Sequence, residues 1–229
     1  MRIDKKGYSM RIPARLAEGY ELFRREQFPR EVERYKALAR GQRPETMVIA
    51  CADSRVDPAT IFQASPGELF VVRNVAALVP PFEEIGSYHG TSAAIEFAVK
   101  HLAVESIIVL GHGQCGGISA SLAASGRKPS SDRFIGPWVS LINDVRDELL
   151  RNHPNQTVDE RQQTLEELAV KQSLMNLRTF CFVEEAMALG RLDLHGAWFS
   201  IGRGELRWLD NDNGHFGVVP TITRKRRDQ

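Results

Sequence analysis

Two short segments of the chain carry residue types that bind zinc in proteins. Cys51-Ala-Asp53-Ser-Arg55 and His112-Gly-Gln-Cys115 each lie at the end of an apolar run, and together they offer two thiolates and one imidazole. Zinc favours Cys sulfur and His nitrogen in tetrahedral geometry; structural sites fill all four positions with protein, whereas catalytic sites leave one for water or substrate. Three candidate ligands, Cys51, His112 and Cys115, therefore indicate a catalytic zinc, with one ion per chain.

The three cysteines of the chain do not form the pattern of a disulfide framework. Their number is uneven, they are widely spaced, and no secretory leader follows the opening Met-Arg-Ile-Asp-Lys-Lys. Thiols of this kind stay reduced in the cytosol. We therefore expect free cysteines and a cytoplasmic location, with Cys181 as a small buried apolar side chain.

Length and composition bound the class of protein. With 229 residues, 42% of them hydrophobic and 26% charged, the chain can bury one core and carry an appended arm. The formal net charge of +1 gives no overall attraction to nucleic acid or anionic lipid. No apolar run is long enough to cross a bilayer. We expect a single domain that binds neither nucleic acid nor a membrane.

Three continuous apolar runs, at residues 46–51, 69–73 and 106–110, predict buried strands of a parallel sheet. Ligand crevices in such sheets lie outside the carboxyl ends of the strands. Cys51 ends the first strand, and His112 and Cys115 come just after the third. The predicted fold therefore brings all three candidate ligands to one rim.

Helical patterns surround these strands. Residues 13–40 read as amphipathic helices with a break near Pro29, and Thr157 with Glu160 has the spacing of a capping box that begins a helix to about Arg178. A second helix follows at residues 182–189, and residues 196–201 and 205–209 read as a hairpin at the sheet edge. A crossover helix is expected over residues 90–102, with Ala94, Phe97, Ala98 and His101 or Leu102 on its inner face. We divide the single domain into a helical arm (1–44), an α/β core (45–210) and a C-terminal tail (211–229).

The segment that contains His112 and Cys115 also satisfies a G-x-G-x-x-G pattern, through Gly111, Gly113 and Gly116. Dinucleotide-binding sites of this type need an acidic residue at the end of the next strand, about 20 residues further on. That distance falls in a polar loop before Asp132, where no strand is predicted. The nucleotide interpretation is therefore disfavoured.

The chain resembles the β-class carbonic anhydrases from about Ala39 to about Trp208. Cys51-x-Asp53-Ser-Arg55, the strand segment 66–75 and His112-x-x-Cys115 match the signature blocks of that family in order. The resemblance implies a zinc lyase that hydrates carbon dioxide to bicarbonate. It also implies a Rossmann-like, mostly parallel sheet with an antiparallel edge strand, helices on both faces and an N-terminal helical arm. The expected assembly is a homodimer with exchanged arms, in many members stacked into tetramers or larger forms.

The residues beside the ligands suit that reaction. Water on zinc loses its proton near pH 7 and becomes a strong nucleophile; the standard example is a carbonic anhydrase with three histidine ligands. Two thiolates neutralise the charge of the zinc ion and make it less acidifying than three imidazoles would. Other residues must therefore assist the zinc-bound water. Asp53 can orient the nucleophile by accepting its hydrogen bond, and Arg55 can hold Asp53 away from the metal through a forked, charge-assisted pair.

The resemblance also assigns a substrate pocket, of the type found in plant enzymes. The matching positions are Gln42, Phe70, Val75 and Phe97, the last replacing a Tyr of the plant pattern; the Gly116 N–H at a helix start suits a bound anion. Val48 stands where bicarbonate-inhibited bacterial members have Trp, so we expect no inhibitory bicarbonate site and a zinc open to water.

Two further functions remain compatible with these residues. One keeps the fold and the metal but acts on carbonyl sulfide or carbon disulfide, which access to the pocket would decide. The other is a scaffold that zinc stabilises without catalysis.

Overall fold

The computed structural model describes residues 12–86, 89–125 and 132–220, which fall into two compact units divided between Gln42 and Arg43. The N-terminal unit is helical: α1 (Ala14–Leu22), a π-helical segment (Phe23–Gln27), α2 (Phe28–Arg30) and α3 (Val32–Leu38). Three rings pack inside it, with centroids 6.0 Å apart for Phe23 and Phe28 and 5.3 Å apart for Phe28 and Tyr35. These aromatic contacts stabilise the packing of the helical segments within this unit.

The second unit is built on a six-stranded sheet with the strand order β2-β1-β3-β4-β5-β6. Strands β1 to β4 are parallel to one another, β5 pairs antiparallel with β4, and β6 pairs antiparallel with β5. Their bounds are β1 Thr46–Cys51, β2 Leu69–Asn74, β3 Ser106–His112, β4 Asp193–Ser200, β5 Glu205–Leu209 and β6 Phe216–Val218. The predicted α/β class and mostly parallel sheet are confirmed, and β6 is a second antiparallel strand that the sequence analysis did not predict.

Seven α-helices of the second unit lie within the described residues. They are α4 Pro58–Ile61, α5 Gly90–Glu96, α6 Gly116–Ala124, α7 Ile135–Val139, α8 Asn143–Asn152, α9 Val158–Leu177 and α10 Cys181–Ala188. The predicted capping box begins α9, where the Thr157 side chain accepts from the Glu160 N–H and the Glu160 carboxylate accepts from the Thr157 N–H. None of the described helices is both long enough and apolar enough to span a membrane.

Alternating side chains of the central strands bury the sheet on both sides. Met47 and Ile49 of β1 pack into a cluster with Ile95 of α5 and Val170 of α9, whereas Val48 and Ala50 point to a second cluster. This alternation fixes the register of β1 against β3, because a slip of one residue would exchange the two apolar sets. The carboxyl ends of these two strands are thereby held side by side.

Two predictions about burial are wrong. On the crossover helix Phe97 is 43% exposed, whereas Ala98 is buried and Ala94 and Leu102 pack against the core as expected. The crossover helix continues as a π-helical segment at Phe97–Leu102, and the Phe97 ring lies against the rings of Phe70 and His101. Cys181 is exposed rather than buried.

Candidate metal centre

Two neighbouring parallel strands bring the candidate ligands to one rim. Cys51 is the last residue of β1 and His112 the last of β3, and the register pairs Ala50, one residue before Cys51, with Leu110, two residues before His112. A tight turn with Gln114 at φ 59° then returns the chain to Cys115, which precedes α6. The three side chains meet because the sheet is parallel and both strands end at the same level.

The geometry of these three residues suits a single metal ion. One ligand atom from each of Cys51, His112 and Cys115 lies within 4.8 Å of the others, and the two sulfurs are 3.9 Å apart. All three residues are buried, and both thiols are free. His112 Nδ1 lies 2.9 Å from the Gly113 carbonyl oxygen, which leaves Nε2 as the ligand atom.

A buried polar atom without a partner supports the fit. Within the described part of the chain, His112 Nε2 makes no hydrogen bond, although His112 is only 2% exposed. Such an atom costs free energy unless something occupies the space in front of it. Two sulfurs and one imidazole nitrogen form a donor set that zinc prefers.

The two thiols titrate as a pair. The neighbouring Cys115 sulfur lowers the pKa of Cys51. Burial opposes this effect, and His112 and backbone N–H groups add to it. Contact with Cys51 and burial raise the pKa of Cys115. A metal ion that binds both sulfurs as thiolates displaces any proton they carry.

Asp53 and Arg55 form the predicted forked pair beside the ligands. Arg55 Nε donates to Asp53 Oδ1 at 2.9 Å and Nη2 donates to Oδ2 at 2.7 Å, while the Arg55 backbone N–H adds a third bond of 2.9 Å. These bonds hold the pKa of Asp53 well below its usual range, so it is a carboxylate at neutral pH. Asp53 Oδ2 lies 3.9 Å from His112 Nε2.

Arg73 fixes the loop that carries this pair, and the sequence analysis missed it. Its guanidinium donates to three backbone carbonyls, those of Cys51 at 2.9 Å, Asp53 at 2.6 Å and Val56 at 2.9 Å. One side chain thus ties the end of β1 to the turn that follows. An Arg within an otherwise apolar strand was the signal that could have revealed it.

Glu166 is the second residue that was missed. It is 2% exposed, and its carboxylate accepts from the Cys115 backbone N–H at 3.0 Å, the Gln162 amide at 2.7 Å and the Trp198 indole at 3.1 Å. Burial raises the pKa of Glu166, against the effect of these three donors. Glu166 occurs among the buried positions of α9 with Ala169 and Val170, and an acidic residue in an apolar stripe is the signal that points to such a role.

The structure gives a contact for three of the predicted pocket residues, Phe70, Phe97 and Val75. The Phe70 and Phe97 rings lie 5.9 Å apart between centroids. Val75 is 38% exposed and packs on the start of α6, where Gly116 is the first residue. Gln42 is the last residue of the N-terminal unit, and its place in the pocket stays a prediction.

A buried site of two thiolates and one imidazole at the carboxyl rim of a mostly parallel sheet defines a zinc metalloenzyme with an α/β fold. A family model described as carbonic anhydrase matches residues 46–206. Over 199 residues the chain is 36% identical to the beta carbonic anhydrase 6, mitochondrial, of Arabidopsis thaliana, covering 85% of this chain and 67% of that protein.

Solved structures agree with this family match. The β-carbonic anhydrase CcaA superposes with a TM-score of 0.82 at 30% identity, covering 90% of this chain and 98% of that one. One of two tetrameric β-carbonic anhydrases from Sordaria macrospora gives a TM-score of 0.70 at 31% identity, covering 85% and 92%. The chain therefore belongs to the carbonic anhydrase family, in its β class, and is a zinc-dependent lyase that hydrates carbon dioxide.

Proposed function

We propose that Cys51, His112 and Cys115 hold the zinc ion and that Asp53 and Arg55 carry the remaining chemistry of carbon dioxide hydration. The observation that supports this most directly is the set of three donor atoms within 4.8 Å of one another, with His112 Nε2 lacking a hydrogen-bond partner among the described residues. Zinc supplies the Lewis acidity that makes water a nucleophile near neutral pH.

Asp53 is the residue that orients the attacking water. Its carboxylate is ionised, lies beside the metal ligands and is 17% exposed, so it can accept a hydrogen bond from a water molecule in the crevice. Arg55 occupies both carboxylate oxygens and also donates to the Gln114 carbonyl at 3.1 Å. This grip opposes rotation of Asp53 toward the metal, so we propose that the fourth coordination position is open at neutral pH.

Carbon dioxide carries no charge, and an apolar surface beside the metal suits it. We propose that Val75 borders this surface. Phe70 pairs with Met47, four residues before Cys51, so the places of Phe70, Phe97 and Gln42 in the substrate surface rest on the resemblance. The first N–H groups of α6, beginning at Gly116, lie at the N-terminal end of the helix. Negative charge is favoured there, which suits the bicarbonate product.

The decisive experiment is stopped-flow carbon dioxide hydration combined with zinc quantitation on the purified protein. We expect one zinc per chain, and no activity in Cys51→Ser or His112→Ala. Asp53→Ala should keep its zinc and lose about 100-fold or more in kcat, the usual contribution of a positioned acid–base group. Unchanged turnover in either ligand variant would refute the ligand assignment. Bound zinc without hydration would favour the scaffold function, and faster turnover of carbonyl sulfide or carbon disulfide would favour the analogue hydrolase.

We also propose that the chain forms a homodimer through its N-terminal arm and that dimers can stack into tetramers. The apolar side chains that α1 leaves exposed support the arm as an interface: Leu16 is 65% exposed and Tyr20 is 63% exposed. Light scattering should give at least the dimer mass, and Leu16→Glu with Tyr20→Glu should give monomers. A cytoplasmic location remains a proposal, which fractionation of the producing cell would test against the mitochondrial assignment of the Arabidopsis relative.

A further inference from the structure

The segment that follows β2 has an unusual backbone. Ala76 and Ala77 adopt φ values of 65° and 54°, in the left-handed region that residues with a Cβ rarely occupy. Such conformations persist only where surrounding contacts over-determine them, and they concentrate at functional sites. Two successive alanines in this region therefore raise the question of what holds them.

Asn74 closes the segment with its side chain. Its Oδ1 accepts from the Leu78 backbone N–H at 2.9 Å, and its Nδ2 donates to the Leu78 carbonyl at 2.8 Å. A third, longer contact of 3.3 Å joins Nδ2 to Thr91 Oγ1. Leu78 is 1% exposed, so water does not replace these bonds easily. The amide thus ties residue 74 to residue 78 and leaves Ala76 and Ala77 at the apex of a closed loop.

The apex of this loop lies against the Cys51 sulfur and against the start of the helix that follows Cys115. The Ala76 N–H donates to Cys51 Sγ at 3.3 Å. On the other side, a Cβ added to Gly117, two residues after Cys115, would lie 2.7 Å from Val75 Cγ1 and 3.0 Å from Ala76 Cβ. There is no room between the apex and the start of α6, so a shift of the loop would disturb both ligands.

A second bond fixes the outer side of the apex. The Trp138 indole of α7 donates to the Val75 carbonyl at 2.7 Å. The peptide between Val75 and Ala76 is therefore held at its carbonyl by Trp138, while its N–H points at the Cys51 sulfur. Its orientation is set by contacts that do not involve the metal.

We propose that Asn74 is a positioning residue of the metal centre, which holds the left-handed Ala76–Ala77 apex so that the Ala76 N–H donates to the Cys51 sulfur. This inference rests on the proposed ligand set. A hydrogen bond to a thiolate withdraws electron density from it, and outer-sphere bonds of this kind tune both the affinity and the electronic properties of a metal site. The Ala76 N–H thereby offsets part of the charge that two thiolates donate, which keeps the zinc acidic enough for hydration.

The test compares Asn74→Ala with the matched control Asn176→Ala in the full-length holoprotein. Asn176 is a buried amide, whereas Asn74 is half-buried; the Asn176 Nδ2 donates to the backbone carbonyl of Val79 at 2.7 Å, and it makes no bond to residues 74–78. Both variants lose an amide-to-carbonyl bond in the same stretch of chain. Only Asn74→Ala releases the apex.

Two measurements separate positioning from general stability. The first is the rate at which zinc passes to a chromophoric chelator; we expect about a 10-fold or greater increase in Asn74→Ala, and less than about a 2-fold change in Asn176→Ala. The second is the thiolate-to-metal absorption of the cobalt(II) form, which should move to lower energy in Asn74→Ala alone, because a sulfur that loses its hydrogen bond holds its electrons less tightly. Equal release rates and unchanged cobalt bands in both variants would overturn the proposal.

The wild-type cobalt protein separates this inference from the proposed function. If the wild type takes up no metal with thiolate absorption, the ligand set itself is wrong. If Asn74→Ala does not fold, Asn74→Asp retains the acceptor for the Leu78 N–H and loses the donor to its carbonyl. We then expect the same changes at smaller size, and wild-type spectra and release rates in a folded Asn74→Asp would overturn the role of Asn74.

Discussion

Replacing Glu166 by Gln should weaken the metal site while preserving the shape of the side chain. The Glu166 carboxylate accepts three hydrogen bonds, one of them from the backbone N–H of the ligand Cys115. An amide oxygen can keep the bonds from Cys115 and Gln162, which both reach Oε1. The amide nitrogen then faces the Trp198 indole N–H, and two donors cannot bond to each other.

The size of the effect follows from this loss of at least one bond. A buried hydrogen bond to a charged group is worth about 1.5–3 kcal/mol. At 1.36 kcal/mol for each factor of ten, that amounts to about a 10- to 150-fold change in the equilibrium that depends on it. Removal of outer-sphere partners typically costs 10- to 100-fold in metal affinity or activity. We therefore expect zinc affinity to fall by at least about 10-fold in Glu166→Gln.

The assay is competition for zinc with a chromophoric chelator, followed by stopped-flow hydration of the zinc-saturated protein. Glu167→Gln is the matched control, because Glu167 neighbours Glu166 on α9 and accepts from Gln163 at 3.1 Å without reaching the ligands. Its zinc affinity should stay within about 2-fold of the wild type. If Glu166→Gln behaves like this control, the bond to Cys115 does not position the ligand and our reasoning about the carboxylate is wrong.

Three further outcomes are expected. Arg55→Ala should lower kcat/KM by about 10-fold or more, and Arg55→Lys should not restore it, since a single ammonium cannot grip both Asp53 oxygens; wild-type kinetics in Arg55→Lys would contradict this. Thr157→Ala should lower the melting temperature by about 2–4 °C through loss of the α9 cap, measured by calorimetry. The Thr157 backbone N–H and hydroxyl lower the pKa of Glu160 from 4.5, so its stabilisation is present above that value and is lost as pH falls through the depressed pKa. The melting-temperature difference between the wild type and Glu160→Gln should thus shrink on acidification, and a difference that grows would refute the assigned sign.

The convergence of the ligands could be predicted from sequence because it depends on few assumptions. The apolar run ending at Cys51 and the run ending before His112 each read as a buried strand, and the carboxyl ends of neighbouring parallel strands lie at one rim. The Asp53–Arg55 pair lies within two residues of a ligand, so chain geometry alone keeps it close. Local spacing and strand direction were sufficient for this part of the site.

Features that depend on tertiary contacts escaped the sequence analysis. Phe97 is exposed because Ala94, Ala98 and Leu102 fill the face of the crossover helix that packs on the core. Cys181 is exposed because it opens α10, whereas Phe180 and Val183 on either side of it take the buried positions. Nothing in the order of residues shows that Glu166 bonds to Cys115, since 51 residues separate them.

The two sulfur ligands are supported in different ways, and the difference bears on how such a site remains acidic. Two thiolates cancel the charge of a zinc dication, and Asp53 and Arg55 cancel each other, so the fixed charges around the ligands leave little positive potential. Hydrogen-bond donors must supply the remainder: the Ala76 N–H acts on the Cys51 sulfur directly, and Glu166 holds Cys115 through its backbone rather than its sulfur. It follows that loss of the donor to Cys51 should raise the pH at which hydration reaches half its maximum, whereas loss of the bond at Cys115 should weaken zinc binding with a smaller change in that pH. A pH–rate profile of zinc-saturated Asn74→Ala and Glu166→Gln distinguishes the two effects, and identical profiles would show that the sulfurs are not tuned separately.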